Sequence, residues 1–423
     1  MKRTQDKIKD FVEVAKVEEL RDFTADPART LTAYRFTDTT ADLVARWLDT
    51  LADLPRGRGA ARALAGVRGV GKSHTLAVFG ALAAYPNLRP LVTDAHVATC
   101  ARRLMNRRYV LVRVRRGTRQ TLWEEMAAAL AETFGGDESR WGSEPEAIVT
   151  AACAQAAEAT LLFLIDTAAE RERRVGRNDG PFLSRMARAA ESANAFLALA
   201  LDDDIADASG ANATLAGTFQ IDYLDPEHLY RIAEAHVLRK TPQARAALHE
   251  LYLNLRAFLP SFRWSEPRFT ALYPLHPLIA DIAASVRLYA QGFAFLPFAA
   301  QSAQRAANRP ALSLVLVDEV FDHAERALRQ AEELREAIAA YDELVRQINS
   351  QFPVMQRLEA KLALKALFIL SLEGSGATPS ELCAALLLYD EAQPEAAPTR
   401  LSAILERFAA AVELDRRRDG HEV

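Results

Sequence analysis

The sequence predicts an α/β chain with a parallel, doubly covered sheet in its first half and helices in its second. Three observations carry this. The octapeptide GVRGVGKS, Gly66 to Ser73, joins a short apolar run to a helix-like stretch. Fully apolar segments of strand length then alternate with helical patterns and end in aspartate. From Pro226 onward the pattern is helical, broken by Pro- and aromatic-rich turns.

In order along the chain, residues 1–56 read as mainly helical, with Thr39 to Asp53 (TTADLVARWLDTLAD) apolar at helical spacing behind a Thr-Asp-Thr start signal. Pro55 to Gly59 (PRGRG) is a hinge-like break. The run Ala63 to Ala65 leads into the octapeptide, and an amphipathic helix is expected over His74 to Ala84. Tyr109 to Val114 reads as a strand and Trp123 to Phe134 as a helix. Leu161 to Ile165 (LLFLI) is an apolar strand ending at Asp166, and Ala195 to Leu201 is another, ending at Asp202, Asp203 and Asp204. Thr214 to Ile221 is expected to be a last strand. Helices are expected over Glu227 to Arg239 and Gln243 to Phe258, followed by the stretch Pro260 to Pro277. After residue 357 come three helices, AKLALKALFILSLEG, TPSELCAALLLYDE and TRLSAILERFAAAVEL, and then an Asp419-Gly420 turn with strand-like flanks over Leu414 to Val423. Three helices and a hairpin make a winged-helix-like pattern. The second strand of that hairpin would begin where the sequence stops, so the chain is expected to be one piece of a longer protein. The domains expected are 1–56, 57–225 as the α/β core, 226–350 as a helical lid, and 351–423 as the winged-helix-like module.

A length of 423 residues implies two to four units, and the apolar and charged fractions are those of a globular protein. A net charge of −4 gives no whole-molecule attraction to nucleic acid or anionic lipid. No apolar run is long enough to span a bilayer, and the N-terminus lacks a signal-peptide core. Cys100, Cys153 and Cys383 are far apart and odd in number, which fits reduced thiols in a cytoplasmic protein without a disulfide or metal framework. The eight histidines form no metal set, and His276, within YPLHP, reads as structural.

The octapeptide matches the phosphate-binding loop G-x-x-x-x-G-K-[ST] at every fixed position. Its glycines let backbone N–H groups converge on phosphate oxygens, and the following helix presents its positive end. The expected cofactors are ATP and Mg²⁺. Gly66, Val67, Arg68, Gly69, Val70, Gly71, Lys72, Ser73 and His74 form the nucleotide-binding set, with Lys72 on the β/γ-phosphates, Ser73 on Mg²⁺ and His74 beside the nucleotide.

A carboxylate at the end of an apolar strand holds the metal's water shell, and two segments compete for this role. Asp166 is favoured by chain order; Asp318-Glu319, after SLVLV, is the alternative, with a buried element edge as its structural reading. Thr167 follows Asp166, where ATP-hydrolysing relatives often have Glu, so Glu170 is the nearby candidate base. Asp202 offers a γ-phosphate sensor, or else a solvated strand end. Arg171, Arg173, Arg174, Arg177 and Arg239 are candidates for a trans-acting arginine, each with a plain surface reading beside it. Residues 102–119 hold eight arginines, which either track nucleic-acid phosphates or protect a charged edge strand around Arg113, Arg115 and Arg116.

The loop GVRGVGKSHTL, the motif YPLHP from Tyr273 to Pro277, and the terminal three-helix pattern together resemble the large ATPases of BREX-type phage-defence loci, the BrxC/PglY-like group. The segment YRFTDTTADLVARWLD is similar in character. The resemblance implies an AAA+-like P-loop fold with a helical lid and winged-helix-like module. It also implies ATP bound by Gly66 to Ser73 with Asp166 on the metal side, and a role as an ATP-driven motor or switch in a bacterial defence complex. Other defence subunits, double-stranded DNA and further copies of the chain are the implied partners. The alternatives are a non-hydrolysing, nucleotide-gated scaffold and an ATP-controlled DNA-binding regulator.

Overall fold

The computed structural model describes residues 6–15, 26–66, 69–115, 117, 119–167, 179–201, 215–225, 227–290, 292–374, 376–390, 392–393 and 395–418. The chain divides into two compact units, Glu18–Leu229 and a second formed by Met1–Val17 with Tyr230–Val423.

The first unit is built on five parallel strands: β2 (Ala60–Gly66), β3 (Tyr109–Arg115), β4 (Thr160–Asp166), β5 (Ala195–Ala200) and β6 (Gln220–Leu224). Their order is β3-β4-β5-β2-β6. The strand that carries the phosphate-loop sequence is therefore internal, and one strand separates it from the Asp166 strand. The first unit is thus a parallel α/β sheet entered through the Gly66 to Ser73 turn, and helices make up most of the second unit.

Successive side chains of a strand point to opposite faces, so the apolar runs serve two cores. On one face Phe163, Ile165, Leu197 and Leu199 pack with Met126, Leu130, Ile148 and Met186. These come from α4 (Leu122–Phe134), α5 (Pro145–Ala156) and α6 (Asp179–Glu191). The other face is covered by α3 (Lys72–Ala84), which lies between the sheet and the helices α1 (Pro27–Ala33) and α2 (Asp38–Asp53). Phe79 of α3 links the layers, with Trp47 of α2 at 5.3 Å and Phe196 of β5 at 5.4 Å between ring centroids. A Cβ at Gly80 would come within 2.3 Å of Leu164 Cδ1, so glycine lets α3 close on β4.

α3 departs from the expected amphipathic helix. Every residue from Thr75 to Ala83 is buried, because apolar layers lie on both sides. By contrast α2 follows its start signal: Thr37 caps it and Thr40 completes the reciprocal capping box. At its far end Gly57 turns the chain with φ of 74°. Gly59 sits where a Cβ would meet the Ala195 carbonyl oxygen at 2.0 Å.

Four further expectations are corrected. The last strand begins at Gln220; Leu215 to Phe219 form a compact turn, in which the Phe219 N–H donates to the Leu215 carbonyl at 2.7 Å. Thr214 lies outside the described residues. The helix expected to reach Arg239 is instead α7 (Glu227–Ile232), followed by a wide turn over Ala233–Val237 and by strand β7 (Leu238–Arg239). β7 pairs antiparallel with β1 (Glu13–Val14), so residues 6–15 are not helical throughout but hold a 3-10 turn and a strand. The final helix, Ala396–Arg418, runs through Leu414 because nothing before Gly420 breaks it. The expected strand flank is absent from 414–418, and the Asp419-Gly420 turn lies outside the described residues.

In the second unit YPLHP is a packing joint. The Tyr273 hydroxyl donates to the Ala311 carbonyl at 2.9 Å, and the His276 N–H to the Val315 carbonyl at 2.9 Å. His276 is fully buried, edge-on to Trp264 at 4.6 Å and to Phe262 at 5.4 Å. The Leu278 N–H donates to Nδ1 at 3.2 Å, so Nε2 carries the proton and donates to the Ala384 carbonyl at 3.0 Å. Burial pushes this imidazole down to about 3. No helix among the described residues is long and apolar enough to cross a membrane.

The buried neutral imidazole gives a pH signature. The unfolded chain takes up a proton below the ordinary histidine value of 6.5 and the folded chain does not. This contribution is fully present above pH 6.5 and is lost at up to about 1.4 kcal/mol per pH unit on acidification toward 3. His276→Ala, expected to cost about 3 kcal/mol at pH 7.5, should lose less at pH 5 in paired urea melts. A wild-type-to-variant gap that does not change with pH contradicts the assignment.

Candidate nucleotide-binding site

β2 ends where Gly66 can approach its neighbour as no other residue could. A Cβ there would lie 2.5 Å from the Leu224 carbonyl oxygen, and its φ is 150°. Gly69 and Gly71 follow with φ of 91° and 94°, in the left-handed region that favours glycine. Gly71 caps α3, and Lys72 is the helix's first residue. Lys72 is 4% exposed, and its Nζ donates to the Gly66 carbonyl at 2.5 Å, which holds the ammonium inside the curve of the loop. Val70 anchors the turn in the core, while Gly69 is exposed and Ser73 and His74 are half-buried in the first turn of α3. Val67 and Arg68 lie outside the described residues.

Asp166, the carboxylate expected on the metal side, is at the same edge of the sheet. Asp166 ends β4, half-buried, opposite Ala200 of β5, and Ala200 is opposite Leu64 of β2. All strands are parallel, so Asp166 stands two strand spacings, about 10 Å laterally, from the phosphate-loop strand. Asp202 and Glu170 lie outside the described residues, as do Asp203, Asp204, Arg171, Arg173, Arg174 and Arg177. Arg239 is an exposed residue of β7 in the second unit.

Thr167 is turned away from this edge. It is 1% exposed, and its hydroxyl donates to the Ala200 carbonyl at 2.6 Å. Its N–H reaches the same oxygen at 3.2 Å. The side chain after Asp166 is therefore a strand-to-strand clamp, in a position that could not hold a solvated carboxylate.

Asp318 and Glu319 do not end a strand. They occupy the first turn of the helix Val317–Leu328 in the second unit. Arg309 binds both Glu319 oxygens, at 2.6 and 2.9 Å, and burial pushes the Asp318 carboxyl up. This is the structural reading of the pair.

Three arginines of the 102–119 segment are tied to neighbouring groups. Arg103 pairs with Asp49 and Asp53, each at 2.5 Å, and Arg107 donates to the Leu51 and Leu54 carbonyls at the end of α2. Arg119 pairs with Glu138 at 2.8 Å. β3 is an edge strand with Val112 and Val114 buried, Arg113 half-buried and Arg115 exposed, as the alternation predicts. Arg116 lies outside the described residues.

Several supporting residues were not singled out from sequence. Asp222 of β6 accepts from Trp47 Nε1 at 2.7 Å and from Arg46 at 2.8 Å, tying α2 to the strand beside β2. Glu125 accepts from the Gly117 and Arg119 N–H groups at 3.1 and 2.6 Å, fixing the turn after β3. Tyr34 meets Thr75 of α3 at 2.9 Å. Thr75 carries a local signal, four residues after a helix-capping glycine; Tyr34 carries none.

No protein-family model matches the chain, and no curated protein sequence matches it. Among solved structures it is similar to the Aeropyrum pernix ORC2 protein in ADPNP-ADP complexes, with 14% identity and a TM-score of 0.36 over 91% of this chain and 98% of that one. It is also similar to AMPPCP-bound DnaA from Aquifex aeolicus, with 13% identity and a TM-score of 0.30 over 94% and 98%. At such scores the fold assignment stands on strand order and loop geometry.

The Thr167 clamp is open to direct test. Thr167→Val, which removes one buried hydrogen bond, is expected to lower the unfolding free energy by about 1 kcal/mol. Thr167→Glu buries a carboxylate and is expected to cost about 3 kcal/mol or more, with no gain in ATP turnover. A stable Thr167→Glu protein with raised turnover in urea-melt and phosphate-release assays contradicts the clamp.

Proposed function

We propose that Gly66 to Ser73 binds the phosphates of ATP and that the first unit is a nucleotide-dependent switch or motor domain. The observation that carries this is the Lys72 ammonium held against the Gly66 carbonyl, within a loop of three positive-φ glycines at the start of a buried helix. A polyphosphate fits these residues: the inner turn lacks side chains at its glycines, and the cation and helix N-terminus attract anions. In this reading Lys72 meets the β/γ-phosphates, His74 borders the nucleotide, and Ser73 and Asp166 hold Mg²⁺, which would neutralise phosphate charge. Glu170 and Asp202 are the proposed base and sensor.

The Thr167 clamp favours a second reading, a nucleotide-gated scaffold that binds ATP without turning it over. The setting we propose, an ATP-driven bacterial defence complex acting in the cytoplasm on or near DNA, is supported by the sequence resemblance in GVRGVGKSHTL and YPLHP.

Lys72→Ala is expected to abolish ATP binding in calorimetric titration, and retained micromolar affinity would overturn the site. Asp166→Ala is expected to keep ATP binding. Turnover present in the wild type and absent in Asp166→Ala favours the motor; no turnover in either favours the scaffold.

A further inference from the structure

We propose that Tyr34 is a positioning residue for the phosphate loop, acting through Thr75 on the carbonyl of Gly71. The inference rests on the nucleotide reading of Gly66 to Ser73 and deepens it.

Hydrogen-bond direction fixes the relay. The Thr75 hydroxyl has one proton, donated to the Gly71 carbonyl at 3.1 Å, and the Thr75 N–H reaches the same oxygen at 2.9 Å. The Tyr34 hydroxyl, 2.9 Å from Thr75 Oγ1, is therefore the donor to it. Tyr34 is itself held by its backbone and its ring. Its N–H closes α1 onto the Thr30 carbonyl at 3.0 Å, and its ring meets Phe36 edge-on at 4.9 Å. Burial pushes the phenol's pKa up, so it remains a donor at neutral pH.

The consequence falls on one peptide plane. The Gly71 carbonyl and the Lys72 N–H belong to the same trans peptide and point in opposite directions. Drawing the carbonyl down into α3 with two hydrogen bonds turns the Lys72 N–H out of the helix toward the hollow of the loop. This N–H is one of the donors a phosphate would use. Tyr34, which is remote in sequence, thus sets the orientation of a group in the loop without touching the nucleotide.

The test is titration of a fluorescent ATP analogue, with melting midpoints measured without nucleotide. Tyr34→Phe keeps the ring and removes the donor, and is expected to weaken binding about fivefold. Thr75→Val is expected to do at least as much, and Thr75→Ser to restore most of the loss. The double variant Tyr34→Phe/Thr75→Val should bind no more weakly than Thr75→Val alone, as members of one chain do. If the wild type binds, Lys72→Ala does not, and Tyr34→Phe matches the wild type in affinity, the positioning role is overturned and the loop reading stands. A lowered midpoint with unchanged affinity overturns it likewise. If wild type and Lys72→Ala behave alike, the loop reading fails and the positioning role with it.

Discussion

The sheet unit depends on one reversal of the chain, where β2 passes into α3. Gly66 lies so close to the Leu224 carbonyl that any side chain would force β2 and β6 apart. Five residues later Gly71 adopts a left-handed conformation, and Lys72 reaches back to the oxygen of Gly66. The reversal sends α3 directly along the sheet, where Phe79 and Gly80 pack against β5 and β4. Phosphate-loop geometry and core packing are thus consequences of the same turn. A substitution there would disturb both.

The two sides of the candidate site are built differently. On the proposed phosphate side stand buried Lys72, three glycines of positive φ, and the Tyr34 and Thr75 hydroxyls behind the helix. On the opposite side Asp166 stands half-buried at a strand end, and its neighbour Thr167 is withdrawn into the sheet to bond Ala200. Chemistry that needs a base immediately after Asp166 finds a structural hydroxyl there. The arginines of residues 102–119 follow a similar pattern. Arg103 and Arg107 close the end of α2 or pair with its acids and serve the fold, while Arg102, Arg108, Arg115 and Arg119 are exposed among the described residues.

The parts legible in sequence are those set by local pattern. LLFLI and AFLALAL are apolar throughout because both sheet faces are covered, and their spans match β4 and β5 closely. The α2 start was readable because a capping box is local. What was not legible depends on distant partners. Leu238 and Arg239 form a strand because Glu13 and Val14 pair with them. β6, QIDYL, is polar for a strand because it is an edge whose Asp222 binds Trp47 and Arg46. His276 read as structural, but its acceptor, Ala384, is 108 residues away. Tyr34 lies 41 residues before Thr75, and no spacing rule connects them.

The central claim is that the Gly66-to-Ser73 turn receives a nucleotide triphosphate. Backbone hydrogen–deuterium exchange, with and without ATP and Mg²⁺, tests it at the atoms concerned. The account predicts that added nucleotide slows exchange at the amides of Gly69 to Ser73, with little change along the interior strands β4 and β5. Unchanged exchange in that turn at saturating ATP, or protection confined to the helices of the second unit, would contradict it.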